Sequence, residues 1–574
     1  VLRVLAAIIL TPVLAVLAWL ALGEHAPRAD FVLASQEPRT LDPARVSWIA
    51  EIQLANTMFE GLTRLNSDTF QPEPAVAEYW EADERQTNWT FHLRPDARWS
   101  NGEPVTAADF RFSWLRVLDP AIGAQYAGLL FVIDGAEAYY RSRLNNQPEQ
   151  ELSPETVGVE ALDEHTLRVR LAAPCSYFLD LTSFPTFAPI HPATVRRWSY
   201  QDGRPVPQAQ HLWLRPGRIV CNGAFILTHW GFKQSIRLER NPYYWDRSSI
   251  DVNSIGVRIT ADPYAALLAY ETGAVDLVHG VESSVARVLM AEQQASRRED
   301  FHIGDRFATS FYRVNCCRPP LDSADFRRAL SLAIDRAAIC EHVLCLGEKP
   351  ADTYIPPGIV PLMPRHEIDG RTVYYQSPEP LGAGLSYAAR LELARSYLKR
   401  YMALSGISGV ADVRPIELAF GPDPEQRRVA EAVQQMWESG LGLRIELRTL
   451  EGKVLSSRLR NLDYDVVRSS WFGDYMDPNT FLAMFTTDNG QNFTGWSNSD
   501  YDDLIASAAV EADNERRYAM LSQAEQLLCA ECPILTVFHR RGNFLLNLRF
   551  AGLKDHPRDL LPLHRVRRVD RVVD

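Results

Sequence analysis

The run from Val4 to Leu22 is apolar apart from Thr11 and Pro12; Arg3 precedes it, and Gly23, Glu24 and His25 follow. No later stretch of the 574 residues approaches it in length and hydropathy. Such a pattern allows one membrane crossing at most and leaves everything after it on one side. One positive charge, a hydrophobic centre and the small residues Ala21 and Gly23 read as a signal peptide over residues 1–23. The run also reaches the lower edge of a spanning helix, so an uncleaved N-terminal anchor is the alternative. Either way the rest of the chain is expected outside the cytoplasm.

That remainder far exceeds a typical domain of ~150 residues, so one small fold is excluded. Hydrophobic residues make up 46% and charged residues 23%, ordinary globular usage that argues against disorder, collagen or coiled coil. The net charge is -12, and basic residues gather only at Arg565, Arg567 and Arg568. A nucleic-acid partner, which needs a basic stripe or patch, is not expected. Of the eight cysteines, Cys529 and Cys532 have redox or zinc spacing. No second pair accompanies them, and Cys340, His342 and Cys345 are not spaced as zinc ligands. Buried thiols or a local disulfide are expected, with no metal and no cofactor.

Asn88 to Arg94 alternates polar and apolar, and Asn101-Gly102 then marks a tight reversal. Thr106 to Asp109 has capping-box spacing, which starts a helix carrying Phe110, Phe112, Ser113, Trp114 and Val117. Glu160 to Leu171 reads as a strand pair turning at Asp163-Glu164. Ser323 is placed to cap a helix whose Phe326, Ala329, Leu330, Ala333, Ile334 and Ala337 share one face. Glu425 to Trp437 is a second helix, leading through Gly440 and Gly442 into a strand over 443–447. Tyr518 to Leu528 is a third. This alternation predicts α/β layers in two or three lobes.

No G-x-S-x-G elbow, phosphate loop or H-E-x-x-H occurs, so an enzyme is not expected. Aromatic residues instead stand beside isolated charges, most clearly from Asp465 to Pro478. There Arg468, Trp471 and Asp474 could clamp a zwitterion, with the acid on an ammonium and the base on a carboxylate. A strand end with solvated charges and a core tryptophan is the alternative.

Several strings carry a resemblance, in order along the chain. They are Thr40-Leu-Asp-Pro43, Phe59-Glu-Gly-Leu62, Trp99-Ser-Asn-Gly-Glu-Pro-Val-Thr-Ala-Ala-Asp-Phe110 and Cys221-Asn-Gly-Ala-Phe225. Leu238-Glu-Arg-Asn-Pro-Tyr-Tyr-Trp245 and Phe326-Arg-Arg-Ala-Leu-Ser-Leu-Ala-Ile-Asp-Arg336 complete them. From about residue 31 to about 550 the chain resembles the solute-binding proteins of peptide ABC transporters, the oligopeptide/dipeptide-binding family. The resemblance implies a type II periplasmic-binding-protein-like α/β fold, with two lobes joined by a hinge and an inserted extra domain. The first lobe would gather 30–63, 184–307 and 541–574, the inserted domain 64–183 and the second lobe 308–540, with crossings near 308 and 540. It further implies a monomeric, periplasmic protein, free or tethered to the inner membrane by its N-terminal segment. Such a protein captures oligopeptides between its lobes and delivers them to a membrane permease. The same fold serving a dipeptide, metal complex or sugar, or a signalling role without transport, stays open.

Residues that match the family's binding positions can be named. Asp474, beside Trp471, would pair with a peptide's α-ammonium, and Arg468 with the carboxylate of a short peptide. Glu51 and Tyr126 would face the cleft. His279 and Phe311 stand where the family has cleft tyrosines, Gln426 where it has a histidine and Gly452 where it has a tryptophan. Ala308 and Phe472 occupy the two positions of a family disulfide.

Overall fold

The strands Phe301–Val314 and Ile534–Leu546 pair antiparallel in the middle of an 11-stranded sheet. This computed structural model describes residues 28–569 except 67–68, 145–147, 359–366, 369–370, 373–374 and 488. The N-terminal apolar run thus lies outside the described residues. No helix among the described residues is long and apolar enough to cross a membrane.

On one side of the central pair the sheet continues through Leu277–His279, Phe31–Ser35, Ser254–Ile259, Ser235–Arg240 and Phe225–Gly231. On the other it continues through Val466–Phe472, Ile416–Phe420 and Ile445–Thr449, and the short strand Lys349–Pro350 pairs with Ile534–Leu546 off this path. Phe31–Ser35 pairs parallel to both its neighbours, and so does Ile416–Phe420. Parallel neighbours need crossovers, and helices such as Pro424–Leu441 and Gly452–Arg460 supply them. Each half buries its own core. Phe31, Leu33, Ile255, Leu277 and Phe544 pack together in one, and Phe326, Leu330, Leu418, Trp437 and Val466 in the other.

The two central strands belong to both halves. Phe301 to Asp305 pairs with Leu545 to Arg541, the register breaks, and Thr309 to Arg313 pairs with His539 to Ile534. A separate four-stranded antiparallel sheet is built from Ala77–Ala82, Asn88–Leu93, Thr166–Arg170 and Val159–Ala161. The helix Ala107–Val117 lies in its core with Phe91, Trp99, Phe110 and Trp114. The architecture is therefore α/β with two lobes and an extra domain.

Local chemistry accounts for the motifs. Gly102 turns the chain at φ +88°, and the Trp99 amide donates to the Glu103 carbonyl at 2.8 Å. Asp109 then accepts from both the Thr106 amide (2.9 Å) and Trp99 Nε1 (3.1 Å), so the turn and the helix start fix each other. Strings distant in sequence meet in space. Glu60 accepts from Tyr244 Oη and Trp245 Nε1, both at 2.6 Å, while Asn222 bonds the Glu60 backbone twice. Gly223 is required there, since a Cβ would lie 2.5 Å from the Met58 carbonyl carbon. At the C-terminal end, Arg565 pairs with Glu73 and Arg568 with Asp30, which ties the short basic tail to the body.

Two boundaries differ from expectation. The helix after Ser323 ends at Leu332, because Asp335 caps a new turn by accepting from the Ala338 amide, and Ser323 makes no side-chain cap bond. The strand expected over 443–447 is Ile445–Thr449, since Gly442 closes the preceding helix in the left-handed conformation and Leu443 and Arg444 form the exit. The eight cysteines are free thiols, so Cys529 and Cys532 form no local disulfide.

Asp42 of the Leu-Asp-Pro string is fully buried and accepts two bonds from Arg116, at 3.0 and 2.5 Å. Arg116 also donates to Gln210 Oε1 at 2.9 Å, so one guanidinium ties three distant segments together. Replacing one partner leaves the other charge buried and unpaired. Arg116→Met is expected to cost about 3–5 kcal/mol of folding stability, measured by urea denaturation.

Candidate ligand-binding cleft

A cavity of about 740 Å³ opens between the lobes. First-lobe segments 33–36, 47–50, 260–263 and 278–283 form one wall; residues 423–425 and Phe472 form the other, and Arg306 and 540–543 form the floor. Four helices begin at this cavity: Ile49–Met58, Pro263–Glu271, Ser283–Gln294 and Pro424–Leu441. Their N-terminal amides carry partial positive charge, and acids neutralise it. Asp262 accepts from the Tyr264 amide (2.9 Å), Glu282 from Ser284 (2.8 Å) and Asp423 from Gln426 (3.0 Å).

Glu51 performs the same task and does not face the cleft as expected. It is fully buried and accepts from the backbone amides of Arg39, Ser47 and Trp48 and from the Arg39 guanidinium. Burial pushes its carboxyl up, but Arg39 and these amides outweigh burial and hold it below the ordinary glutamate value. Its neighbour Trp48, half exposed beneath the Arg39 guanidinium, lines the cavity instead.

Asp474 follows the strand Val466–Phe472 through Gly473, where a Cβ would strike the Phe307 ring. Its carboxyl sits beside the Tyr126 hydroxyl and the Arg558 guanidinium. Arg558 donates to the Asp474 carbonyl at 2.6 Å but forms its ion pair with Asp180, at 3.0 Å. Asp474 has no ion-pair partner among the described residues. Desolvation therefore dominates and raises its carboxyl to about 7, despite Arg558 and Tyr126, which lower it. Tyr126 rests edge-on against Phe184, packed on the core that surrounds the helix Ala107–Val117. Tyr177 stacks on Tyr475, and Asp180 accepts from the Met476 amide.

Arg468 carries the opposite charge six positions earlier. Its side chain lines a small pocket with Tyr312, Glu425, Gln426 and Phe538, and among the described residues its one side-chain bond is a long one to Ser470 Oγ, 3.4 Å. Burial and the nearby Arg540 push it down to about 10, with Glu425 opposing. No carboxylate lies within ion-pair distance of it among the described residues.

Alternation along this strand separates the remaining candidates. Arg468, Ser470 and Phe472 share one face; Ser469 and Trp471 share the other. Trp471 is half-buried against a core that contains Phe307, Tyr354 and Phe481, and its Nε1 finds no partner there. Phe311, opposite Ser469, is fully buried in that core and edge-on to Tyr354. Neither Trp471 nor Phe311 lines the cavity, contrary to expectation, because the pleat turns both toward the layer behind the strand; Asp474, Arg468 and Tyr126 are not among the residues that line it either.

His279 does line the cavity, and its Nε2 lies 3.1 Å from Asp559. Asp559 also accepts from Arg306 Nε, and Arg306 Nη1 donates to Asp555 at 2.6 Å. Burial raises Asp559, but His279 and Arg306 prevail and hold it well below the usual carboxylate range. The sequence carried no signal for this cluster, whose members come from segments over 240 positions apart. Among the substituted positions, Gln426 accepts from the Gly421 amide, Gly452 opens a helix, and Ala308 lies directly opposite Phe472 in register.

The raised Asp474 carboxyl has a consequence for stability. An acid whose folded value exceeds its unfolded one favours folding while protonated, and that contribution is lost as pH rises toward 7. Asp474→Asn is therefore expected to stabilise the ligand-free protein at pH 8, by at most about 4 kcal/mol, and not at pH 4. Thermal melts at the two pH values measure this.

Over residues 71–493 the chain matches the family model of bacterial extracellular solute-binding proteins, family 5. It is 31% identical over 532 residues to the dipeptide-binding protein DppE of Bacillus subtilis, covering 92% of this chain and 89% of that protein. The murein tripeptide binding protein MppA of Escherichia coli superposes with a TM-score of 0.78 at 26% identity, covering 95% of this chain and 99% of the other. Haemophilus influenzae OppA in complex with the peptide RPPGFSPFR gives 0.76 at 25% identity, covering 95% and 100%.

Proposed function

The chain belongs to the bacterial extracellular solute-binding proteins, family 5, and from that premise we propose that it captures oligopeptides between its lobes and delivers them to an ABC import permease without catalysing a reaction. The observation that carries the reading is two opposite charges without ion-pair partners at the two ends of the strand Val466–Phe472, whose Phe472 lines the cleft. Among the described residues the Asp474 carboxyl forms no ion pair, since the nearby Arg558 pairs with Asp180, and the Arg468 guanidinium has no carboxylate within ion-pair distance, whereas the acids capping the cleft helices are already spent on backbone amides. A zwitterionic peptide supplies both missing partners. Each bond forms in a poorly solvated place, where a charged hydrogen bond is strong and an unpaired charge is costly.

In this reading the first lobe comprises 30–63, 184–307 and 541–574, the inserted domain 64–183, and the second lobe 308–540. The register break between Asp305 and Thr309, with the facing residues His539 to Arg541, is the hinge. Peptide contacts to both walls shift the population toward a closed form, which the permease recognises. Ser283 Oγ already donates across the cleft to Glu425 at 3.0 Å, and Arg540 reaches the same carboxylate at 3.4 Å. Tyr126 orients Asp474, and His279 acts through Asp559 on the floor. The protein works as a monomer in the periplasm.

Isothermal titration with short peptides tests this. Asp474→Ala is expected to lose about 2–5 kcal/mol of peptide affinity while keeping its fold. N-acetylation of the peptide should cost the native protein a similar amount and the variant almost nothing further. Undiminished binding in Asp474→Ala would refute the assigned role. Because the ammonium needs an ionised Asp474, affinity should fall as pH drops below about 7, where that carboxyl takes up its proton. Arg468→Gln should weaken binding of free-acid tripeptides and leave their C-terminal amides unaffected.

A further inference from the structure

Trp48 stands on the wall of the cleft and serves neither the helix nor the core beside it. It is the residue before the helix Ile49–Met58, in extended conformation at φ -97° and ψ 147°. An indole carries no acceptor for helix-end amides, so it adds nothing as a cap. Val46 and Ile52, on either side in sequence, are buried in the core that holds the helix Ala107–Val117. The Trp48 ring joins none of the hydrophobic cores among the described residues and stays 47% exposed. Other large apolar side chains are exposed too, but among the described residues none of them lines this cavity.

The ring is nonetheless fixed. The Arg39 guanidinium lies over it, its carbon 3.9 Å from the ring centroid. Arg39 is itself held by Glu51, through Nε at 2.9 Å and Nη2 at 3.2 Å, and by Ser47 Oγ at 2.7 Å. Glu51 also accepts from the Trp48 amide at 3.2 Å, so ring and backbone are anchored to one buried carboxylate. Arg39 is not among the residues that line the cavity, so the indole surface that faces the cavity is not the part Arg39 covers. An aromatic surface held in place before binding loses little conformational freedom when a ligand covers it.

Building on the peptide-capture reading, we propose that Trp48 sets a side-chain preference in the cleft: its cavity-facing indole surface takes an aromatic side chain of the bound peptide. Covering apolar surface favours binding in proportion to the area removed from water. Two rings gain further from offset or edge-on packing. A cationic side chain is the poorer match, because a guanidinium already lies over this ring and would repel a second cation placed across it. A carboxylate would meet the electron-rich face of the ring. Asp474 and Arg468 answer to termini that every free peptide carries, whereas Trp48 answers to a group that differs from one peptide to the next.

Isothermal titration of the native protein with trialanine, and with the tripeptides that carry one phenylalanine in place of an alanine, tests this. At one position or more, phenylalanine is expected to tighten binding by about ten-fold, and lysine at the same position is expected not to. In Trp48→Ala the preference for phenylalanine over alanine should vanish, and in Trp48→Phe it should largely return, since a smaller ring still stacks. Thermal melts report that the variants fold, and Trp48→Gln replaces Trp48→Ala if the latter does not. Equal native affinity for the phenylalanine peptides and trialanine overturns the role of Trp48 while leaving peptide capture intact. So does an equal gain from lysine, or a preference that survives in Trp48→Ala or Trp48→Gln. A native protein that binds none of these peptides refutes peptide capture, and this inference with it.

Discussion

Arg306 is the interaction on which the two-lobed arrangement depends. It enters the central strand where the register with the facing strand breaks, and it is almost fully buried. Its guanidinium is held by Asp555 and Asp559, and it crosses Gly542 so closely that a Cβ there would lie 2.2 Å from Nε. A continuous ladder through 306–308 would make one stiff sheet of the two lobes. With Arg306 turned out of the ladder into a carboxylate clamp, each lobe keeps its own paired strands, and a short stretch that does not pair with the facing strand joins them. The clamp also fixes Asp559, which in turn holds His279 at the cleft wall.

The cleft uses its charges in two ways. Asp262, Glu282, Asp423 and Glu51 satisfy helix-end amides, so their negative charge is spent on the scaffold and little of it faces a ligand. Among the described residues Asp474 and Arg468 are left without ion-pair partners in places that water reaches poorly, which costs free energy in the empty protein. That cost is the physical basis of selectivity, because a ligand that neutralises both groups recovers it.

Much of the local structure was legible in the residues. The Asn101-Gly102 turn, the Thr106 cap with Asp109, and the helix Pro424–Leu441 follow from side chains that act on backbone within a turn or two. The candidate site was legible in part. Asp474 and Tyr126 do meet, while Trp471 and Phe311 lie on the far side of the strand and Glu51 is spent on a cap. A pleated strand alternates its faces, and which face meets solvent is set by the layer packed behind it, which spacing alone does not reveal. The helix expected from Ser323 to Ala337 broke at Leu332 for a related reason, since Asp335 offered a local cap that the apolar periodicity did not weigh.

The sequence by itself determined the α/β class, the family strings and the identity of the isolated charges, because these depend on residue type and short-range geometry. Only the tertiary structure decided which charges are free. Asp42 meets Arg116 and Asp559 meets Arg306 across 74 and 253 positions, whereas Asp474 forms no ion pair among the described residues, its neighbour Arg558 being paired with Asp180. Whether a buried charge is a structural tie or a binding group depends on what folding brings within about 4 Å of it. That proximity is a property of the folded chain and of no single segment of it.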